Sequence, residues 1–84
     1  KAMAAPEWFI WTNNAELGQA ILVAREAAGW TQSELGRRAG LNRKLVYRLE
    51  SGKGNVRVDK VVQVLATLRL MPLIVPAEML GMLR

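Results

Sequence analysis

The chain has 84 residues, 51% of them apolar, which suffices for one small domain with a core and not for two. It contains no Cys and no His, which excludes disulfide scaffolds and thiolate metal sites and removes the commonest general base and zinc ligand. The net charge is +5, and it is concentrated: Arg37 to Lys60 holds eight basic residues against Glu50 and Asp59, a local +6, while the rest of the chain is −1.

In chain order, "KAMA" at the start carries no weight. "EWFIW" (Glu7 to Trp11) is a short aromatic and β-branched run with a weak strand signal. Thr12, Asn13 and Asn14 are cap-type residues ahead of Leu17, Ile21, Ala24 and Ala28, which recur at helical spacing. They predict a first helix from about Ala15 to Ala28, stopped by Gly29. "TQSE" is a capping box, in which Thr31 accepts from the Glu34 N–H and the Glu34 carboxylate reaches back. A short second helix follows over about Gln32 to Ala39, ended by Gly40. Asn42 caps a third, about Arg43 to Glu50, ended at "SGKG". Val58, Val61, Val62, Leu65 and Leu68 mark a fourth. "RLMPLIVP" is extended by composition, because Pro72 and Pro76 forbid a helix interior. "AEMLGMLR" is short enough for a last helical turn or two. The longest apolar run, "LMPLIVPA", is far short of a membrane span, and the start of the chain shows no signal-peptide pattern. The organisation expected is an N-terminal extension over 1–14, a helical domain over 15–70 and a C-terminal tail over 71–84.

The third helix carries the chemistry. With Val46 at zero on a wheel of about 100° per residue, Asn42, Leu49 and Glu50 lie within about 60° of it and line the inner side. Lys44, Tyr47, Arg48 and Ser51 lie between about 100° and 200°, on the outer side, with Arg43 at the flank. One side anchors in a core. The other presents cations and hydroxyls, the donors that read guanine O6 and N7 in a major groove. Two short helices joined by a three- or four-residue turn with a Gly form a helix-turn-helix arrangement. The start of the second helix, with Gln32, can present N–H groups and an amide to a phosphate. Lys53 and Asn55 follow the third helix where the chain would pass the other strand. Arg37 and Arg38 add to the basic patch, the footprint of a polyanion partner. Glu50, on the inner side, needs a cation, and Arg25 at the edge of the first helix can supply it as a partly buried pair.

These residues carry a resemblance. "REAAGWTQSELGRRAGLNRKLVYRLESGKG", followed by "VDKVVQVLATLRL", resembles the phage-repressor/Cro type, or XRE-like, helix-turn-helix domain over about Leu17 to Leu70. It matches at Arg25, Gly29, Thr31, Gln32, Leu35, Gly40, Val46, Glu50 and Gly52. The resemblance implies an all-α fold of four to five helices with a short strand-like C-terminal tail. It implies base contacts at Arg43, Lys44, Tyr47 and Arg48. It implies phosphate contacts at Gln32 and after Gly52, which with the basic and polar flanks gives Gln32, Arg37, Arg38, Ser51, Lys53 and Asn55. It also implies an internal Arg25–Glu50 ion pair.

A narrower resemblance, in "FIWTNNAELGQAILVAREAAGWTQSELGRRAGL" and the tail "LRLMPLIV", is to HipB-type antitoxins. That family represses its own operon as dimers and binds a HipA-type kinase toxin. It implies operator DNA, a second copy and such a toxin as partners, no membrane, no cofactor, and a bacterial cytoplasmic, nucleoid-associated location. Pro72 interrupts the tail strand that pairs across that dimer, and Arg43 and Lys44 depart from the small polar pair usual there. "LMPLIV" has no place in a four-helix core, so Leu70, Pro72 and Ile74 are the candidate dimer contacts, with Leu70 and Ile74 facing the two-fold mate. Met79, Leu80, Met82 and Leu83, with Glu16 and Glu26 of the first helix, are candidates for the toxin-facing side, although the tail can equally pack on its own domain. Two other classes stay open. One is a stand-alone or phage-type repressor without a toxin, and the other a protein-interaction adaptor on the same fold. Enzyme chemistry has no constellation to build on, since Ser33 and Ser51 are the only serines and no carboxylates are spaced as a pair.

Overall fold

The first three helices each begin where the sequence offers a side chain to accept from a free backbone N–H. The computed structural model describes residues 9–83. Helix α1 spans Asn14–Ala27, and Asn13 caps it by accepting from the Glu16 N–H at 2.8 Å. Helix α2 spans Gln32–Ala39, with the Thr31 hydroxyl accepting from the Glu34 N–H at 3.0 Å. Helix α3 spans Arg43–Ser51, with Asn42 Oδ1 accepting from the Leu45 N–H at 2.8 Å. Helix α4 spans Val58–Thr67. After an irregular stretch, a 3₁₀ turn over Ala77–Met79 leads into a single short helix, α5, over Leu80–Leu83.

The architecture is all-α, with no strand among the described residues. Two expected features differ. Phe9, Ile10 and Trp11 form no strand; Glu7 and Trp8 of the same run lie outside the described residues. Residues 71–76 are non-helical, as Pro72 and Pro76 require, but form no strand within the chain.

The core draws one fully buried side chain from each of the first four helices: Ile21, Leu35, Val46 and Val64. Leu17, Ala39, Leu49 and Leu65 complete it, and Trp30, Leu41, Val56, Val61, Leu68 and Leu70 pack around its edge. Two of these edge residues fix the shape of the turns. The Leu41 N–H donates to the Gly36 carbonyl at 2.7 Å, closing α2 through Gly40 at φ 74°. At the end of α4, Arg69 takes the same left-handed position, φ 62°, and the Leu70 N–H closes on the Leu65 carbonyl at 2.7 Å. That closure swings Leu70 back onto its own core. Leu70, the expected contact to a second copy, is thus partly buried against the core of its own chain.

Helices α1 and α3 cross closely at Gly18. A Cβ there would collide with the backbone carbonyl of Leu49 and lie 2.6 Å from that of Glu50. Backbone cannot move aside as a flexible side chain can. Gly18→Ala is therefore expected to destabilise the domain by about 1–3 kcal/mol, although Ala favours a helix interior by about 1 kcal/mol over Gly. Urea unfolding followed by circular dichroism reads the sign. A stabilised variant would mean that α1 and α3 do not approach each other this closely.

Candidate nucleic-acid interface

The surface that α2 and α3 share is built outward from the buried pair Leu35 and Val46. Residues on the far side of Val46 must face solvent, and Arg43, Lys44, Tyr47 and Arg48 all do. Tyr47 is 54% exposed, so much of its side chain is open to solvent. Lys44 and Arg48 lie one turn apart, as do Arg43 and Tyr47, so the four form a continuous face. The Arg48 guanidinium leans toward the chain after α3, where Nη2 donates to the Asn55 carbonyl at 3.0 Å. Arg48, Lys53 and Asn55 border an open depression that reaches Asn14 at the start of α1. Ser51 is turned back, its hydroxyl donating to the Arg48 carbonyl at 3.0 Å.

Beneath this face lies an ion pair. Arg25 Nε donates to Glu50 Oε2 at 2.6 Å and Nη2 to Oε1 at 3.1 Å; the side chains are 12% and 3% exposed. Arg25 Nη1 also donates to the Trp30 carbonyl at 2.8 Å. One guanidinium thus ties α1, the turn after it and α3 together. Hydrogen bonding to Glu50 raises the Arg25 pKa above its ordinary value, so the cation is held charged. Gln32 Nε2 donates to Glu50 Oε1 at 3.1 Å. The amide expected to meet a phosphate is therefore seated on the carboxylate, with one N–H engaged.

Arg37 and Arg38 do not project freely. Both donate to Glu34: Arg37 through Nε at 3.2 Å and Nη2 at 2.5 Å, Arg38 through Nε at 2.6 Å. The Arg38 guanidinium also lies 4.4 Å from the centroid of the Trp30 ring. The hydrogen bonds from Arg37, and then from Arg38, hold the Glu34 carboxyl below the ordinary carboxylate range, and Glu34 raises Arg37 in turn. The Glu34 carboxylate is thus used by two arginines and does not reach back to close the second half of the capping box. The (i, i+3) and (i, i+4) spacing of Glu34 to Arg37 and Arg38 carries this signal in the sequence, since side chains at those offsets meet on a helix surface. Gln63, assigned no role from sequence, donates to the Ala39 carbonyl at 2.9 Å and closes the end of α2 from α4. No local pattern announces that contact, because it spans 24 positions.

The tail presents apolar surface. Met71, Leu73, Ile74 and Met82 are 81–98% exposed, and Met79 is at 37%. Glu26 is exposed on α1, whereas Glu16 accepts from the Thr12 hydroxyl at 2.7 Å. Arg84 lies outside the described residues. No helix among the described residues is long and apolar enough to cross a membrane.

Comparison with known proteins agrees with this geometry. A family model described as a helix-turn-helix domain matches residues 16–73. No curated protein matches the chain. Among solved structures, a chain of a HipA-HipB-O2-O3 complex superposes with a TM-score of 0.75 at 23% identity, over 83% of this chain and 99% of that one. The restriction-modification controller protein C.AhdI from Aeromonas hydrophila gives 0.63 at 28% identity, over 68% and 83%. A hypothetical transcription factor, NHTF, from Neisseria gives 0.67 at 26% identity, over 84% and 83%. With two capped helices joined through Gly40 and a solvent-facing donor array on the second, the chain belongs to the helix-turn-helix domain family and is a DNA-binding regulator of the XRE-like type.

Proposed function

We propose that this protein is a dimeric, operator-binding transcriptional repressor and the antitoxin half of a HipBA-like module. The observation that carries the DNA reading is the exposed array Arg43, Lys44, Tyr47 and Arg48 on a helix whose other side is anchored by Val46 and Leu49. Such a helix can enter a major groove without losing its core contacts, and its cations donate to guanine edges. We assign the flanking phosphates to Lys53, Asn55 and the second amide N–H of Gln32, with Ser51 beside them. Specificity from so few base contacts needs two half-sites about one turn apart, roughly 34 Å, and therefore a dimer. The exposed tail around Pro72 and Ile74 is the surface we assign to that contact.

Lys44→Ala is expected to cost about 1–3 kcal/mol at the preferred operator and to relax preference at one position. Lys53→Ala is expected instead to weaken binding to all sequences alike and to flatten the salt slope by about one unit. Operator selection from a random library, followed by titrations of both variants, separates the two. Lys44→Ala behaving like Lys53→Ala would remove Lys44 from the base readers.

The antitoxin assignment is supported by the likeness to a chain of the HipA-HipB-O2-O3 complex, matched over nearly its whole length. It predicts that a kinase-fold product of a neighbouring gene co-purifies with this protein and joins it on operator DNA without displacing it. No complex, or one formed only off DNA, would leave a stand-alone regulator. The 28% identity to a restriction-modification controller protein favours that second reading.

A further inference from the structure

The cations of the basic segment are not equally available. Arg43, Lys44 and Lys53 stand exposed, while Arg57 pairs with Asp59 at 3.0 Å. Arg37 and Arg38 converge on one carboxylate, but they are held differently. Arg38 has a second anchor in the Trp30 ring. Arg37 is 69% exposed, and no side chain other than Glu34 among the described residues holds it in a hydrogen bond or ion pair. Its two-pronged grip on Glu34, through Nε and Nη2, occupies one edge of the guanidinium and ties it to a carboxylate of its own helix.

We propose that Glu34 sets the sequence-independent part of DNA affinity by withholding Arg37 from the phosphates. The inference rests on the DNA-binding reading above. Phosphate contacts position a protein on any duplex and carry no sequence information. Each one adds about 0.9 to the slope of log affinity against log salt. A carboxylate that occupies Arg37 internally removes one such contact and leaves the donors of α3 untouched. Arg38 has the Trp30 ring as a second anchor and Arg37 has none, so Arg37 is the cation whose hold depends on Glu34 alone.

The test uses a random-sequence duplex of about 20 base pairs, titrated between 50 and 200 mM salt, a range over which phosphate contacts dominate. The proteins are wild type, Glu34→Gln, Arg37→Ala, and Glu34→Gln combined with either Arg37→Ala or Arg38→Ala. Glutamine keeps the shape of the side chain, and melting curves establish that each variant is folded. Glu34→Gln is expected to bind more tightly at low salt, with a slope steeper by about 0.9, so that the fourfold rise in salt costs it about 3.5-fold more affinity than wild type. Adding Arg37→Ala should abolish that gain, and adding Arg38→Ala should retain it. Arg37→Ala alone should leave the wild-type slope. An unchanged slope in Glu34→Gln, or a gain that survives Arg37→Ala, overturns the role of Glu34 while leaving the DNA-binding reading intact. A wild-type protein without salt-dependent binding to the duplex overturns the DNA-binding reading, and this inference with it.

Discussion

Glu50→Ala is expected to cost about 3–5 kcal/mol of stability, a large share of what so small a domain possesses. The reason is what it leaves behind. Arg25 keeps its charge, is 12% exposed, and loses both hydrogen bonds to the carboxylate at 2.6 and 3.1 Å. The Gln32 amide loses its partner as well. A buried cation without compensation costs far more than the pair contributed while intact. The paired replacement Arg25→Met with Glu50→Leu removes both charges and should recover most of the loss. It should not recover all of it, because the Trp30 carbonyl then lacks the Arg25 donor, at about 1–3 kcal/mol if no water replaces it. Urea midpoints for the two single variants and the double variant measure the cycle. A Glu50→Ala loss under about 1 kcal/mol, the range of an exposed pair, would mean that water reaches this site freely.

Leu35→Ala is expected to cost about 2–5 kcal/mol. Leu35 is fully buried in the middle of α2, within the cluster to which α1, α3 and α4 also contribute. Truncating it removes transfer energy and leaves a cavity that relatively rigid helices fill poorly. Tyr47→Ala is the control on the same motif. Its side chain is 54% exposed, so its stability should change by no more than about 0.5 kcal/mol, while operator affinity falls. Equal losses of stability in the two variants would contradict the inward and outward faces of the motif.

The Leu35 and Tyr47 comparison also shows where sequence information was sufficient. Helical periodicity is a local property, so the buried Val46 and Leu49 and the exposed Lys44, Tyr47 and Arg48 can be read from spacing alone. The caps at Asn13, Thr31 and Asn42 are equally local, because a side chain three residues away satisfies each free N–H. The helix boundaries follow to within a residue for this reason. The Arg25 and Glu50 pair spans 25 positions, but charge on an inward face demands a partner, and that demand narrows the choice.

Tertiary structure alone decided the rest. Gly18 reads as a poor residue for a helix interior until α3 passes beside it. Gln63 reads as surface until it meets the open end of α2. Leu70 reads as part of the free tail, yet the left-handed turn at Arg69 folds it onto the core. Arg37 and Arg38 count as two units of positive charge in the sequence, but local pairing with Glu34 and the nearby Trp30 ring removes much of their freedom. Composition counts charges and periodicity sorts faces. Which groups are close enough to neutralise, cap or exclude one another depends on distances set by how the helices pack, and those distances are not additive properties of the chain.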